Sequence, residues 1–410
     1  MKRLLVLLAG LVFLAACSAV ENVSDYFAGD DNAEPPSPLP EYVNTLPINI
    51  LWEASVGDGL SGQNVKLVTA VGGDRVFAAD REGVVAAFNK TNGDELWEQD
   101  TELAVAAGPG YGEGIVVVGT SDAEVLALNE ENGSTIWKVN VSSEVLAVPK
   151  IVDGTVVVRT IDGRLYGLDA ENGHQKWIYD WQVPILTLRG ISTPAIDEGM
   201  IVIGFATGKL AALNLSDGDL LWEASISIPS GRTDLERMID IDADPLIDDG
   251  YVYVATFQGE LASIELESGV VLWKRDISAY AGVDVDWGQL YISDQVSDVW
   301  AVDPTNGATV WKQIDLQARH LTAPVVQGDY VVVGDFEGYL HWMSRNDGGF
   351  VAKIEVDSKG ILSTPIVSDD VLYVLTNSGN LAAISLGENV PAATEIEKPT
   401  EEKSIWKFWD

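Results

Sequence analysis

The chain has 410 residues, with 63 Asp and Glu against 25 Lys and Arg, a formal net charge of −38. That balance argues against nucleic-acid binding, which rests on Lys and Arg neutralising phosphates, and against docking on anionic lipid through a basic patch. Cys17 is the single cysteine, so no internal disulfide forms and stability must come from a large apolar core.

In chain order, Met1-Lys2-Arg3 is a short basic opening and Leu4 to Phe13 an uninterrupted apolar run. Ala15 and Ala16 then precede Cys17, as small residues precede the cleavage point of a secretory signal peptide. The apolar run is about half the roughly 20 residues that a membrane-spanning helix needs. An ordinary cleaved signal with an incidental cysteine fits this much. Leu14-Ala15-Ala16-Cys17 further resembles the lipobox of bacterial lipoproteins. The resemblance implies a signal over 1–16 and an acylated Cys17 as the mature first residue. Ser18, where an Asp would signal inner-membrane retention, implies the outer membrane. Residues 17–45 read as a lipid-anchored tether. Asp30, Asp31, Glu34, Pro35, Pro36, Pro38 and Pro40 make an acidic, proline-rich stretch that cannot bury a core.

Residues 46–387 repeat. Trp97, Trp137, Trp177, Trp222, Trp273 and Trp311 recur at spacings of 40, 40, 45, 51 and 38, each four residues after a glycine. Each unit holds short strands rich in Val, Ile and Tyr, and Asn-Gly pairs such as Asn92-Gly93 predict two-residue hairpins with both residues at positive φ. Four strands in about 40 residues is the period of a β-propeller blade. Second strands near Arg75, Ile115, Val156, Ile201, Tyr251, Leu290, Tyr330 and Leu372 predict eight blades. The seventh has Phe350 and Ala352 but no tryptophan. The eighth ends at about Leu386 without a fourth strand, and Ile48 to Glu53, containing Trp52, supplies one. The fold class is all-β, an eight-bladed propeller closed by its N-terminal strand.

The Gly-x-x-x-Trp repeat resembles that of quinoprotein dehydrogenases, which implies a second function, a PQQ-dependent oxidoreductase. That activity needs bound Ca²⁺, convergent polar groups and, in some members, paired cysteines, and the chain has none in recognisable form. The tryptophans read better as packing between blades. No cofactor, metal or catalytic residue is assigned. His174, His320 and His341 lack metal-ligand spacing. Asp240, Asp242 and Asp244 begin like a calcium loop, but Pro245 replaces its glycine and Tyr251 its glutamate.

Two repeats are longer than 40 residues, and the extra length falls in equivalent places: Tyr179 to Pro194 and Ala224 to Pro245. Equivalent connections of neighbouring blades share a face, and inserts on one face often mark where a repeat protein binds. The first insert carries Leu186, Leu188 and Arg189, either a partner surface or residues tucked into the ring's rim. Ile-Leu-Thr-Leu-Arg-Gly-x-Ser at 185–192 and Val-Val-Val-Gly-Asp-x-Glu-Gly-Tyr-Leu-His-Trp at 331–342, with the tether and the eight repeats, resemble the BamB family of the β-barrel assembly (BAM) machinery. The resemblance covers about 1–386. It implies a non-enzymatic scaffold on the periplasmic side of the outer membrane that binds the POTRA domains of BamA, reaches other subunits through BamA and assists barrel insertion, with unfolded barrels as a further contact. By motif, Leu186, Leu188 and Arg189 become BamA contacts, and the adjacent Asp240 and Asp242 join them. Residues 388–410 have no counterpart in that resemblance: an acidic linker ends in Ser404-Ile405-Trp406-Lys407-Phe408-Trp409-Asp410, either a docking motif or a segment that folds back on the propeller.

Overall fold

The computed structural model describes residues 35–60, 65–181, 192–227 and 239–387. Cys17, Leu186, Leu188, Arg189 and the segment 388–410 lie outside them.

Eight sheets, each with four antiparallel strands, form the blades of a β-propeller. Second strands start at Arg75, Ile115, Thr155, Met200, Tyr251, Gln289, Tyr330 and Val371, within a residue of expectation. Second and third strands are buried on both faces, as in Thr155–Arg159, because each blade is sandwiched between two others. Fourth strands alternate: in Thr135–Asn140 only Trp137 is buried. The N-terminal strand Ile48–Ser55 completes blade 8, pairing antiparallel with Asn380–Leu386 from Ile48 opposite Leu386 to Ser55 opposite Asn380.

Seven of the eight joints between blades use one device. Trp52, Trp97, Trp137, Trp177, Trp222, Trp273 and Trp311 each donate Nε1–H to a backbone carbonyl of the next blade, at Lys90, Glu130, Ala170, Leu215, Leu266, Pro304 and Arg345, over 2.8–3.0 Å. The indole also covers that blade's turn glycine. A Cβ on Gly93, Gly133, Gly218 or Gly269 would sit 2.6–2.7 Å from an indole carbon.

The Asn-Gly turns differ from the two-residue hairpins expected of them. Only the glycine takes positive φ, +74° at Gly93 and +69° at Gly133. Its amide reaches back to the carbonyl of Asn89 or Asn129, and the Asn92 side chain accepts the Asp94 amide at 3.1 Å. This longer loop needs one left-handed residue instead of two, and the strand after it carries a bulge at Leu96, between Glu95 opposite Phe88 and Trp97 opposite Ala87.

The eighth joint, from blade 7 to blade 8, lacks the tryptophan, and Ala352 lies opposite Trp342. Leu46 fills the space, buried with Trp342 and Ala352 in one cluster. The chain before it was expected to run free as tether to residue 45, yet residues 40–45 lie along blade 7. Thr45 N donates to Val351 O at 2.8 Å, Tyr42 stacks on Phe350 with centroids 5.0 Å apart and its hydroxyl donates to Ala352 O at 3.0 Å. Lys353 Nζ donates to Pro40 O. The aromatic and apolar side chains in this short stretch outweigh its proline-rich composition.

Candidate partner-binding face

Connections from a fourth strand to the next first strand share a face with the turns between second and third strands. In six blades the turn is locked by one side chain: Asp80, Thr120, Thr256, Asp294, Asp335 or Thr376 accepts the amide four residues on. Blade 4 has Phe205 there instead. Trp181, the last described residue at the near end of the first insert, stacks on Phe205 at 4.2 Å and 15°, with Lys209 Nζ 5.4 Å from the centroid of the Trp181 ring. One local rule is broken, and the released position becomes an aromatic stack with Trp181.

The far ends of the two inserts are tied together. Ser192 Oγ donates to Ala243 O at 3.0 Å and Thr193 N to Asp244 Oδ1 at 2.6 Å. Asp240 bridges to Ala206, and its carbonyl accepts the Phe257 amide at 2.9 Å, which clamps this segment between the turns of blades 4 and 5. Arg159 lies beneath, buried, donating Nη1–H to Ser192 O at 2.9 Å. Burial pulls its pKa down to about 10, opposed by the charges of Asp242, Asp244 and Asp240. Equivalent positions hold Ala79, Gly119, Gly204, Ala255, Ser293, Gly334 and Leu375, so an arginine where the other seven blades place uncharged residues, six of them small, was a sequence signal left unused. From across the interior of the ring, Lys66 pairs with Asp244; Lys66 and Leu67 add a short parallel strand to the inner edge of blade 2, opposite Ala107 and Gly108.

The sequence-based site residues therefore divide. Asp240 and Asp242 are 3 % and 7 % exposed, which leaves little of either to present to a partner. Their carboxylates are near Arg159 at the base of the inserts, a correction to their expected place on the surface. Leu186, Leu188 and Arg189 lie outside the described residues. His174 and His320 are exposed. His341 is buried in blade 7, its Nε2 3.0 Å from Asp335 Oδ2, and Arg319 Nε donates to the same carboxylate at 2.9 Å. Burial lowers the His341 pKa against the pull of Asp335. Among the described residues no cluster of three His, Cys, Asp or Glu could hold a metal.

The family model described as outer membrane protein assembly factor BamB matches residues 49–101, 81–313 and 297–390. The chain belongs to the BamB family. BamB of Alkalilimnicola ehrlichii is 44% identical over 388 residues, covering 95% of this chain and 98% of the relative. The crystal structure of BamB from Moraxella catarrhalis matches with a TM-score of 0.75 at 26% identity, over 82% of this chain and 99% of that one. A quinohemoprotein alcohol dehydrogenase from Pseudomonas putida matches with a TM-score of 0.68 at 14% identity, over 87% of this chain and 78% of that one. It shares the fold alone, and the dehydrogenase reading of the repeat goes no further than that.

Proposed function

We propose that this BamB-family chain is a non-enzymatic scaffold of outer-membrane barrel assembly, anchored through Cys17 on the periplasmic side and docked by its insert face on the POTRA domains of BamA. The observation that carries the proposal is the shared base of the two inserts. Ser192 to Ala243, Thr193 to Asp244 and Arg159 to Ser192 weld neighbouring loops into one platform. A propeller invests buried polar groups in this way where loop position matters, since each needs its partner in place. Leu186 and Leu188 supply apolar contact and Arg189 a charge-assisted hydrogen bond to a carboxylate or carbonyl, by loop docking or by addition to a sheet edge. Asp240 and Asp242 support the platform. The high net negative charge sets no barrier to such a contact provided the partner surface is apolar or basic.

The test is affinity recovery from solubilised outer membranes. Leu188→Ala and Arg189→Ala should each cut BamA recovery at least tenfold, the scale of an anchor residue worth about 1.4 kcal/mol or more, while circular dichroism and thermal midpoint stay at wild-type values. Undiminished recovery with both variants overturns the interface. Addition of PQQ with Ca²⁺ should leave the absorbance spectrum of the protein unchanged; a bound quinone spectrum would revive the enzyme reading.

A further inference from the structure

The C-terminal segment matches a structural element already present in the ring. Fourth strands contain Thr135-Ile136-Trp137-Lys138, Val271-Leu272-Trp273-Lys274 and Thr309-Val310-Trp311-Lys312. Ser404-Ile405-Trp406-Lys407 repeats that pattern: a small or β-branched residue, an aliphatic, tryptophan, lysine. All eight blades already have their fourth strand, the eighth from the N-terminus. The segment repeats the sequence pattern of an outer strand that the ring does not need.

We propose that Ser404–Trp409 adds to the outer edge of blade 8 as a fifth strand, alongside Ile48–Ser55 of the same chain. Four observations favour this edge. Ile48–Ser55 is the last strand of its sheet, so one row of its backbone donors and acceptors has no sheet partner. It presents apolar surface, with Ile50 39% and Leu51 49% exposed. The chain leaves the ring beside it, where Gly387 N donates to Pro47 O at 2.8 Å. The intervening residues 388–403 reach about 50 Å when extended, against about 26 Å for an eight-residue strand, so either strand direction is within reach. Blade 7 shows that an outer edge of this ring accepts a further segment of its own chain, since residues 40–45 already lie along Phe350–Glu355. That edge is thereby taken, which leaves blade 8 as the nearest open one. Lys403 and Lys407 suit a surface as acidic as this one, where Glu53 is exposed on the receiving strand.

Hydrogen exchange on the full mature chain, compared with a chain ending at Gly387 and with Trp406→Ala in the full chain, tests the proposal. The outward-facing amides of Ile48–Ser55 should exchange at least tenfold faster in both altered proteins, while the amides bonded between this strand and its inner neighbour Asn380–Leu386 stay protected, which separates loss of the fifth strand from unfolding of blade 8. Equal exchange in all three proteins overturns the proposal. So does protection that moves to another blade's outer strand, or protection that grows with protein concentration together with a dimer mass, which would make a second copy the occupant.

Discussion

If the tryptophans and turn glycines interlock as described, one substitution should cost very different amounts at two glycines of the same blade. Gly199 and Gly218 both belong to blade 4 and both have φ of +74°. A Cβ on Gly199 meets nothing within 4 Å, whereas a Cβ on Gly218 would lie 2.6 Å from Trp177 Cε3. Alanine at either position incurs the left-handed backbone cost of about 1–2 kcal/mol. At Gly218 it must also displace an indole that is 6 % exposed and held by Leu215 O at 2.9 Å, an overpacking cost of about 1–3 kcal/mol. Gly199→Ala should therefore cost about 1–2 kcal/mol and Gly218→Ala about 2–5 kcal/mol, read as denaturant midpoints at unchanged slope. Trp177→Ala alone should cost about 3–5 kcal/mol. In that background Gly218→Ala should fall to the cost seen at Gly199, a coupling of about 1–3 kcal/mol between the two sites. Equal costs at the two glycines, or strict additivity with Trp177→Ala, would refute the interlock.

Three further outcomes are expected. Burial raises the pKa of Asp284 to about 6, partly offset by hydrogen bonds from the Val326 and Val285 amides. A carboxyl raised in the folded state binds its proton there before the unfolded chain does, so stability should rise as pH falls from about 6 towards 4, and Asp284→Asn should flatten that slope in urea titrations across the range. Asp244→Ala leaves Lys66 and the Thr193 amide without this acceptor; exchange at Thr193 should quicken by the equivalent of about 1–3 kcal/mol of local opening, while exchange in the distant strand Val371–Leu375 is unchanged. Tyr42→Ala removes the stacking on Phe350 and the bond to Ala352 O, which should cost about 1–2 kcal/mol and quicken exchange of the Lys353 amide that Asn44 Oδ1 accepts, without changing the other seven blades.

The ring was legible because its cause is repeated. Each Trp–Gly pair solves the same packing problem, so spacing revealed six joints, and the missing fourth strand of the eighth blade led to Trp52 and the seventh. What stayed hidden lay in departures from the repeat. Arg159 occupies a position that is uncharged in the other seven blades, and Phe205 a position of Asp or Thr. Neither departure has meaning until a neighbouring connection is known to pass over it. Asp240 and Asp242 read as partner contacts in the sequence because their insert adjoins the one that carries Leu186, Leu188 and Arg189. Only the clamp between Ala206 and Phe257 shows the segment turning inward over Arg159. The docked residues 40–45 were masked by proline content, since composition averages over a stretch while Tyr42 and Leu46 act singly. The Asn-Gly turns were located correctly and given the wrong geometry, because the dipeptide reports a turn more reliably than its length.

The closing strand also sets an order of events for a chain delivered amino end first. Ile48–Ser55 arrives before every blade, and its sheet partner Asn380–Leu386 comes more than 320 residues later. Such a distant pairing forms late, and its waiting edge is a hazard in the meantime. Trp52 offers this strand an earlier berth. Its Nε1 bonds Lys90 O, 38 residues away, and its ring covers Gly93 of the same blade. Once blade 1 has formed, the strand can be parked against it by one side chain, already aligned for a partner not yet delivered. The same joint that seals the finished ring would then serve as its first clasp, and the last strand to arrive would find a prepared slot.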